Sequence, residues 1–169
     1  MPRRHTPPAG DTPAELLCPS ARGHPGASKL IGVVGGTPEA PRVTPTEVAL
    51  DVTPELLELA GPVAPTEVFR FASSCRECAC PHFSNQACQL AVRSVEILSE
   101  VTDKLPHCSI RPQCRWFRQE GPAICRRCPQ IVTDQHRPSA EMLRVVLGEN
   151  PPPLEVAPKP TEISARPAD

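Results

Sequence analysis

Two stretches decide how this chain reads: CRECACPHFSNQAC, residues 75–88, and CSIRPQCRWFRQEGPAICRRCP, residues 108–129. The first carries Cys75, Cys78, Cys80 and Cys88; the second carries Cys108, Cys114, Cys125 and Cys128. Each contains a CxxC pair, a spacing that brings two sulfurs to one ion or cluster from a single turn of chain. One such pair is weak evidence. Two pairs, each with two further cysteines within a few turns, point to thiolates holding metal.

Composition explains why a staple is needed. Of the 24 prolines in 169 residues, twelve fall in residues 1–67, six in 68–148 and six in 149–169. Proline fixes φ and removes a backbone donor, so dense proline opposes both helices and sheet ladders. The reading is therefore a disordered Pro-rich arm with short linear motifs over 1–67, a folded Cys-rich unit over 68–148, and a disordered tail over 149–169. The chain has no Tyr, one Trp and four Phe. A unit of some eighty residues with so few aromatics is marginal alone and recruits a disulfide, a metal or a partner.

Compartment separates disulfide from metal. The opening MPRRHTPPAG is not followed by the apolar run of a secretory signal, and no stretch approaches the ~20 apolar residues of a membrane span. The expected setting is the reducing cytoplasm, where clustered thiols are metal ligands before they are bridges. A disulfide framework is the structural alternative, and the odd cysteine count disfavours it.

Local patterns predict a mostly α fold. A helix is expected over residues 85–105, with Ser84 as N-cap, an apolar stripe from Ala87 to Leu105, and Pro106 as its end. Shorter helices are expected over 53–60 (stopped by Gly61), 112–120 (stopped by Gly121), 122–127 and 140–147 (N-cap Ser139). Met142, Leu143, Val146 and Leu147 would close over the long helix. SKLIGVVGG, residues 28–36, reads as one short strand running into a glycine turn. The repeats PTEV (45–48 and 65–68) and PTEI (160–163) are too short for a solenoid.

A straight helix of ~30 Å would hold the two cysteine groups apart. Cys108, Cys114, Cys125 and Cys128 then form one site, and Cys75, Cys78, Cys80 and Cys88 a second, with His82 as a substitute ligand. The rival arrangement joins Cys75 and Cys78 to Cys125 and Cys128. The cofactor is a [4Fe–4S] cluster or Zn²⁺. Helical flanks and the prolines after Cys80 and Cys128 favour iron–sulfur. Cys18, in LLCPS, has no cysteine neighbour and reads as a bystander. His107 and His136 read as surface groups.

Residues 105–137 hold six arginines against two acidic residues. Cations beside a thiolate set are local compensation. Alternatively, Arg111, Arg115, Arg118, Arg126 and Arg127 flank Trp116 as a nucleic-acid surface on which a base could stack. Trp116 and Phe117, between Cys114 and Gly121, more simply pack the shell of the Cys108–Cys128 site. No nucleophile elbow, HExxH, Walker loop or deaminase HxE is present, and no small-molecule substrate suggests itself. The expectation is a non-catalytic metal-cluster protein, a redox, sensing or assembly accessory to a larger protein partner. The competing class is a zinc-structured nucleic-acid binder.

Overall fold

The computed structural model describes residues 15–149. Residues 1–14 and most of the tail, 150–169, lie outside that range, as does the PTEI repeat. Chain order runs β1 (Leu17–Ala21), β2 (Ser28–Gly36), β3 (Pro41–Asp51), α1 (Pro54–Glu58), α2 (Pro65–Val68) and β4 (Phe69–Ser74). A hairpin follows, β5 (Phe83–Ser84) and β6 (Ala87–Cys88). Four helices complete it: α3 (Gln89–Ile97), α4 (Arg115–Glu120), α5 (Pro122–Cys125) and α6 (Ala140–Leu147).

The fold is mixed α and β, which overturns the expected mostly helical fold. Its centre is a four-stranded antiparallel sheet in the order β1-β4-β2-β3. Three of those strands come from the proline-rich stretch. Proline does not prevent the sheet because of where it falls. Pro19 lies in β1, and Pro41 and Pro45 lie in β3, the two edge strands. An edge strand has a side with no ladder to break. The central strands, SKLIGVVGG and FRFASS, contain no proline.

Strand alternation gives the sheet two working faces. On β4, Phe69 and Phe71 turn one way and meet edge to face, with ring centroids 6.0 Å apart. With Leu30 and Val52 they form a core against Leu56 and Leu57 of α1. That contact stabilises a helix too short to persist alone. Thr53 Oγ1 caps it by accepting from Leu56 N–H at 3.2 Å, and Gly61 at φ 67° follows its end. Arg70 and Ala72 turn the other way, toward the larger core of Ile31, Trp116, Ile124, Met142 and Val145. β2 bulges between Leu30 and Gly32 against both neighbours. A Cβ on Gly32 would stand 2.7 Å from Val43 Cγ1, so the bulge requires glycine there.

The long helix expected over 85–105 is a hairpin, nine helical residues and an irregular loop. Asn85 and Gln86 have φ of 51° and 61°, the paired left-handed geometry of a two-residue hairpin turn. Cys88, not Ser84, is the N-cap of α3. The helix ends at Ile97 because the following carbonyls are claimed from elsewhere. Arg127 Nε donates to Leu98 O at 2.7 Å and Gln130 Nε2 to Ser99 O at 2.7 Å. Val101 N–H donates to Arg126 O at 3.0 Å. The apolar stripe is real, but these tertiary bonds displace the helical ones beyond residue 97.

The short helices fall close to expectation. α4 ends at Gly121, φ 62°, and Ser139 Oγ caps α6 by accepting from Met142 N–H at 3.1 Å. The buried face of α6 differs. It presents Met142 and Val145 to the core and leaves Val146 and Leu147 exposed. Arg93 of α3 binds its last turn, donating to Val145 O at 2.6 Å. No helix among the described residues is long and apolar enough to cross a membrane.

Candidate metal centre

Cys108, Cys114, Cys125 and Cys128 all line one cavity of about 60 Å³. Its floor is the Arg70 face of the sheet, contributed by Pro19, Ile31, Pro45 and Arg70. Its walls come from residues 106–129, including Trp116 and Ile124. Local structure presents each thiol at an element boundary. Cys108 precedes a 3₁₀ turn, Arg111–Gln113, and Cys114 follows that turn as the N-cap of α4. Cys125 is the last residue of α5, and Cys128 opens a second 3₁₀ turn, Cys128–Gln130. A parallel bridge between Leu17 and Cys114 ties this segment to the sheet.

The thiols sense one another. Burial pushes Cys114 from 9.0 up to about 12, with Cys128 and Cys108 adding to the rise. Burial also raises Cys108 and Cys125, and the neighbouring Cys128 raises both further. Arg111 and Arg70 oppose the shift at Cys108, and Arg111 opposes it at Cys125. All nine cysteines are unpaired.

Arg70 is the decisive side chain. It is 1 % exposed. Nε donates to Pro19 O, Nη1 to Ile131 O, and Nη2 to Cys128 Sγ at 3.7 Å. Its guanidinium lies over Trp116, 5.4 Å from the ring centroid. Arginine stays charged in proteins, and a buried charge normally finds a carboxylate. Among the described residues Arg70 has none. Arg111 lines the same cavity, donates to Pro106 O and lies 6.0 Å from the centroid of Phe117. Two guanidiniums and four thiols line the cavity, and among the described residues no carboxylate does.

Three buried or half-buried groups around it are also unsatisfied. Trp116 Nε1 and Arg111 Nε are buried donors without acceptors among the described residues, and Ser109 Oγ beside Cys108 has no partner. Two guanidiniums match the net −2 carried by four thiolates on Zn²⁺ or on an oxidised [4Fe–4S] cluster. The donor chemistry of the cavity thus fits either group. Cys108, Cys114, Cys125 and Cys128 are the residues that would hold it, supplying charge transfer or a rigid cross-link when it is bound. As they stand, no three His, Cys, Asp or Glu side chains among the described residues are drawn together around a single ion.

The other cysteine group is not gathered in this way. Cys78 is exposed on a 3₁₀ turn, Glu77–Ala79, and Cys75 and Cys80 are half-buried beside it. Cys88 is buried at the base of α3, where Gln119 brackets its backbone, accepting from its N–H at 2.8 Å and donating to its O at 3.1 Å. His82 lines a different cavity, of about 290 Å³, together with Ser20, Arg22 and Asp134. Cys75 and Cys78 do not reach the wall of the first cavity, so the rival pairing with Cys125 and Cys128 is not formed. The separation by a ~30 Å helix also fails, since α3 is nine residues long.

Sequence spacing missed two residues. Arg70 gave no signal beyond alternation, a charge among apolar neighbours in FRFASS. Cys18 seemed isolated, yet β1 pairs it with Ser73, and Cys75 N–H donates to Leu16 O at 2.7 Å. Burial raises Cys18 to about 11, and Cys88 and Cys75 are near enough to add to that rise.

The arginines of the nucleic-acid alternative are mostly committed. Arg115 bonds Glu77 at 3.0 Å and the Gln86 carbonyl at 3.0 Å, and its guanidinium lies over Phe83. Arg127 bonds Glu100 at 3.1 Å and the carbonyls of Leu98 and Ala123; Arg126 lies 3.8 Å from the same Glu100. Arg118 remains exposed. Trp116, 2 % exposed, is part of the core and offers no face to a base. His107 is on the surface, its Nε2 2.8 Å from Glu47 O. No protein-family model, curated protein or solved structure matches this chain.

Proposed function

We propose that this protein is a non-catalytic, cysteine-ligated metal-cluster protein. Cys108, Cys114, Cys125 and Cys128 hold the group, and the protein serves a larger protein partner in redox, sensing or assembly. The observation that carries this reading is Arg70: a buried cation without a carboxylate, bonded to Cys128 in a cavity lined by four thiols. Burying an unpaired charge costs several kcal/mol, of order 3–5 when a partner is missing. A bound anionic thiolate complex supplies that partner.

Iron–sulfur is favoured over zinc. The four thiols line one cavity between short helical elements, and Pro129 follows Cys128 as proline follows the last ligand of bacterial ferredoxin runs. Cys75, Cys78, Cys80 and Cys88 remain a second candidate set, one that must close from its present spread if it binds. A reducing, cytoplasmic setting suits nine unpaired thiols. Partner contact fits the exposed apolar residues Val48 and Leu50 on β3, an edge strand.

Anaerobic isolation followed by an absorption spectrum and analysis of iron, sulfide and zinc tests the proposal. Iron and sulfide with broad visible absorption support it in full. Stoichiometric zinc in a colourless protein keeps the site and changes the metal. Metal-free protein that cannot be reconstituted with either overturns it.

A further inference from the structure

The proposed centre has more hydrogen-bond donors around it than the polypeptide uses. Arg70 Nη2 reaches Cys128 Sγ at 3.7 Å. Arg111 Nε and Trp116 Nε1 are buried and have no acceptor among the described residues, and both side chains line the four-cysteine cavity. An orphaned buried N–H costs about 1–3 kcal/mol, so folds rarely leave two beside each other. The polypeptide wall holds Trp116 firmly, at 2 % exposed and under the Arg70 guanidinium. A sulfur acceptor in the four-cysteine cavity would satisfy Arg111 Nε, whose side chain lines it, and Trp116 Nε1, whose ring lines both this cavity and the one beside His82. Sulfur in a thiolate-bound cluster is such an acceptor, and it is negative.

Resting on the reading above, we infer that Arg70, Arg111 and Trp116 are positioning residues whose N–H groups bond the cluster's sulfur atoms and hold its reduction potential up. The physics has one sign. Reduction adds an electron, hence negative charge, to the centre. Donors and cations fixed beside the sulfurs stabilise the reduced form more than the oxidised one, and raise the potential. Burial in a mostly apolar wall works in the opposite direction, because low dielectric penalises the more highly charged state. The donor set offsets that penalty and makes the centre able to accept an electron at all in so dry a site. Arg70 carries the largest share, since it brings a full charge as well as a bond. Trp116 brings a bond alone.

The test is the midpoint potential of the full chain, isolated anaerobically, titrated with redox dyes and followed by visible absorption and electron paramagnetic resonance. Trp116→Phe removes one N–H and keeps the ring, and Arg70→Lys keeps the charge and removes the fork. The Trp116→Phe potential is expected to fall by at least about tenfold in the reduction equilibrium, ~59 mV for one electron. Arg70→Met is expected to fall further than Arg70→Lys. If Arg70→Met loses its cluster, Trp116→Phe and Arg70→Lys still decide. Unchanged or higher potentials in both, at wild-type iron and sulfide content, overturn the inference while leaving the proposed function standing. Wild-type protein that holds zinc and no iron or sulfide overturns this inference alone, and wild-type protein that takes up neither metal overturns both.

Discussion

Arg70 and Cys128 meet 3.7 Å apart, Nη2 to Sγ, although 58 residues separate them in the chain. One is the second residue of β4 and the other opens a 3₁₀ turn. The contact joins the sheet, drawn largely from the proline-rich stretch, to the cysteine-rich segment. It also ties the charge balance of the cavity to the fold.

Replacing Arg70 by Met is therefore expected to act differently in the two forms of the protein. In the metal-free form, losing the bonds to Pro19 O and Ile131 O is offset by removing an unpaired buried charge. The net change there is expected to stay within about 2 kcal/mol. In the metal-loaded form the cation that balances the thiolates is gone, so the loss is larger and metal content falls. Urea unfolding of wild type and R70M, with and without metal, measures both; equal effects in the two forms would count against the charge argument.

The raised Cys114 pKa fixes a pH dependence for the metal-free protein. The folded chain holds that proton more tightly than the unfolded chain, for which 9.0 is the reference. Its contribution is present in full below about pH 9 and is lost as pH climbs toward about 12. At ~1.4 kcal/mol per pH unit, Cys114 alone is expected to cost about 2 kcal/mol between pH 9 and 10.5. Cys18, raised to about 11, falls in the same direction. Metal uptake must displace those protons, so apparent metal affinity is expected to rise steeply with pH through the neutral range. Unfolding and metal titrations at pH 7, 8.5 and 10.5 check both signs.

The fragment 68–148 is expected not to fold cooperatively. It retains β4 but lacks β1, β2 and β3, and so exposes Phe69, Phe71 and the cavity floor. Within the full chain, Phe71→Ala is expected to cost about 3–5 kcal/mol, since Phe71 is fully buried. Calorimetry on the fragment and denaturation of the variant are the measurements. A sharp transition in the isolated fragment would show that the first 67 residues are dispensable.

The sequence carried most caps, but not the sheet. Cys108, Cys114, Cys125 and Cys128 line one cavity, whereas Cys75, Cys78, Cys80 and Cys88, equally close in the chain, do not join them there, so spacing alone does not gather thiols. Ser139, Thr53 and the glycines at 61 and 121 act through their own backbone and were legible. Strands β1 and β3 were not, because proline content is a local signal and edge position is a tertiary fact. The α3 boundary failed for a related reason: Arg127 and Gln130, about thirty residues away, take the carbonyls a longer helix would need. Arg70 and Cys18 belong to the same class, visible only once β4 is paired.

Trp116 is the chain's single tryptophan, and it lines the cavity under Arg70. Its fluorescence is expected to be blue-shifted, to resist quenching by iodide, and to change in step with metal loading. A red-shifted emission that iodide quenches freely would place the ring at the surface, where the nucleic-acid alternative needs it.

The central claim is tested most directly by X-ray absorption at the metal edge of anaerobically prepared wild type and Cys128→Ser. The wild-type first shell is expected to be sulfur, at about 2.3 Å for a thiolate site. Iron–iron scattering is expected beyond it, and one sulfur should be replaced by a lighter ligand, or the metal lost, in Cys128→Ser. A first shell of nitrogen and oxygen, or spectra identical in the two proteins, would contradict the account.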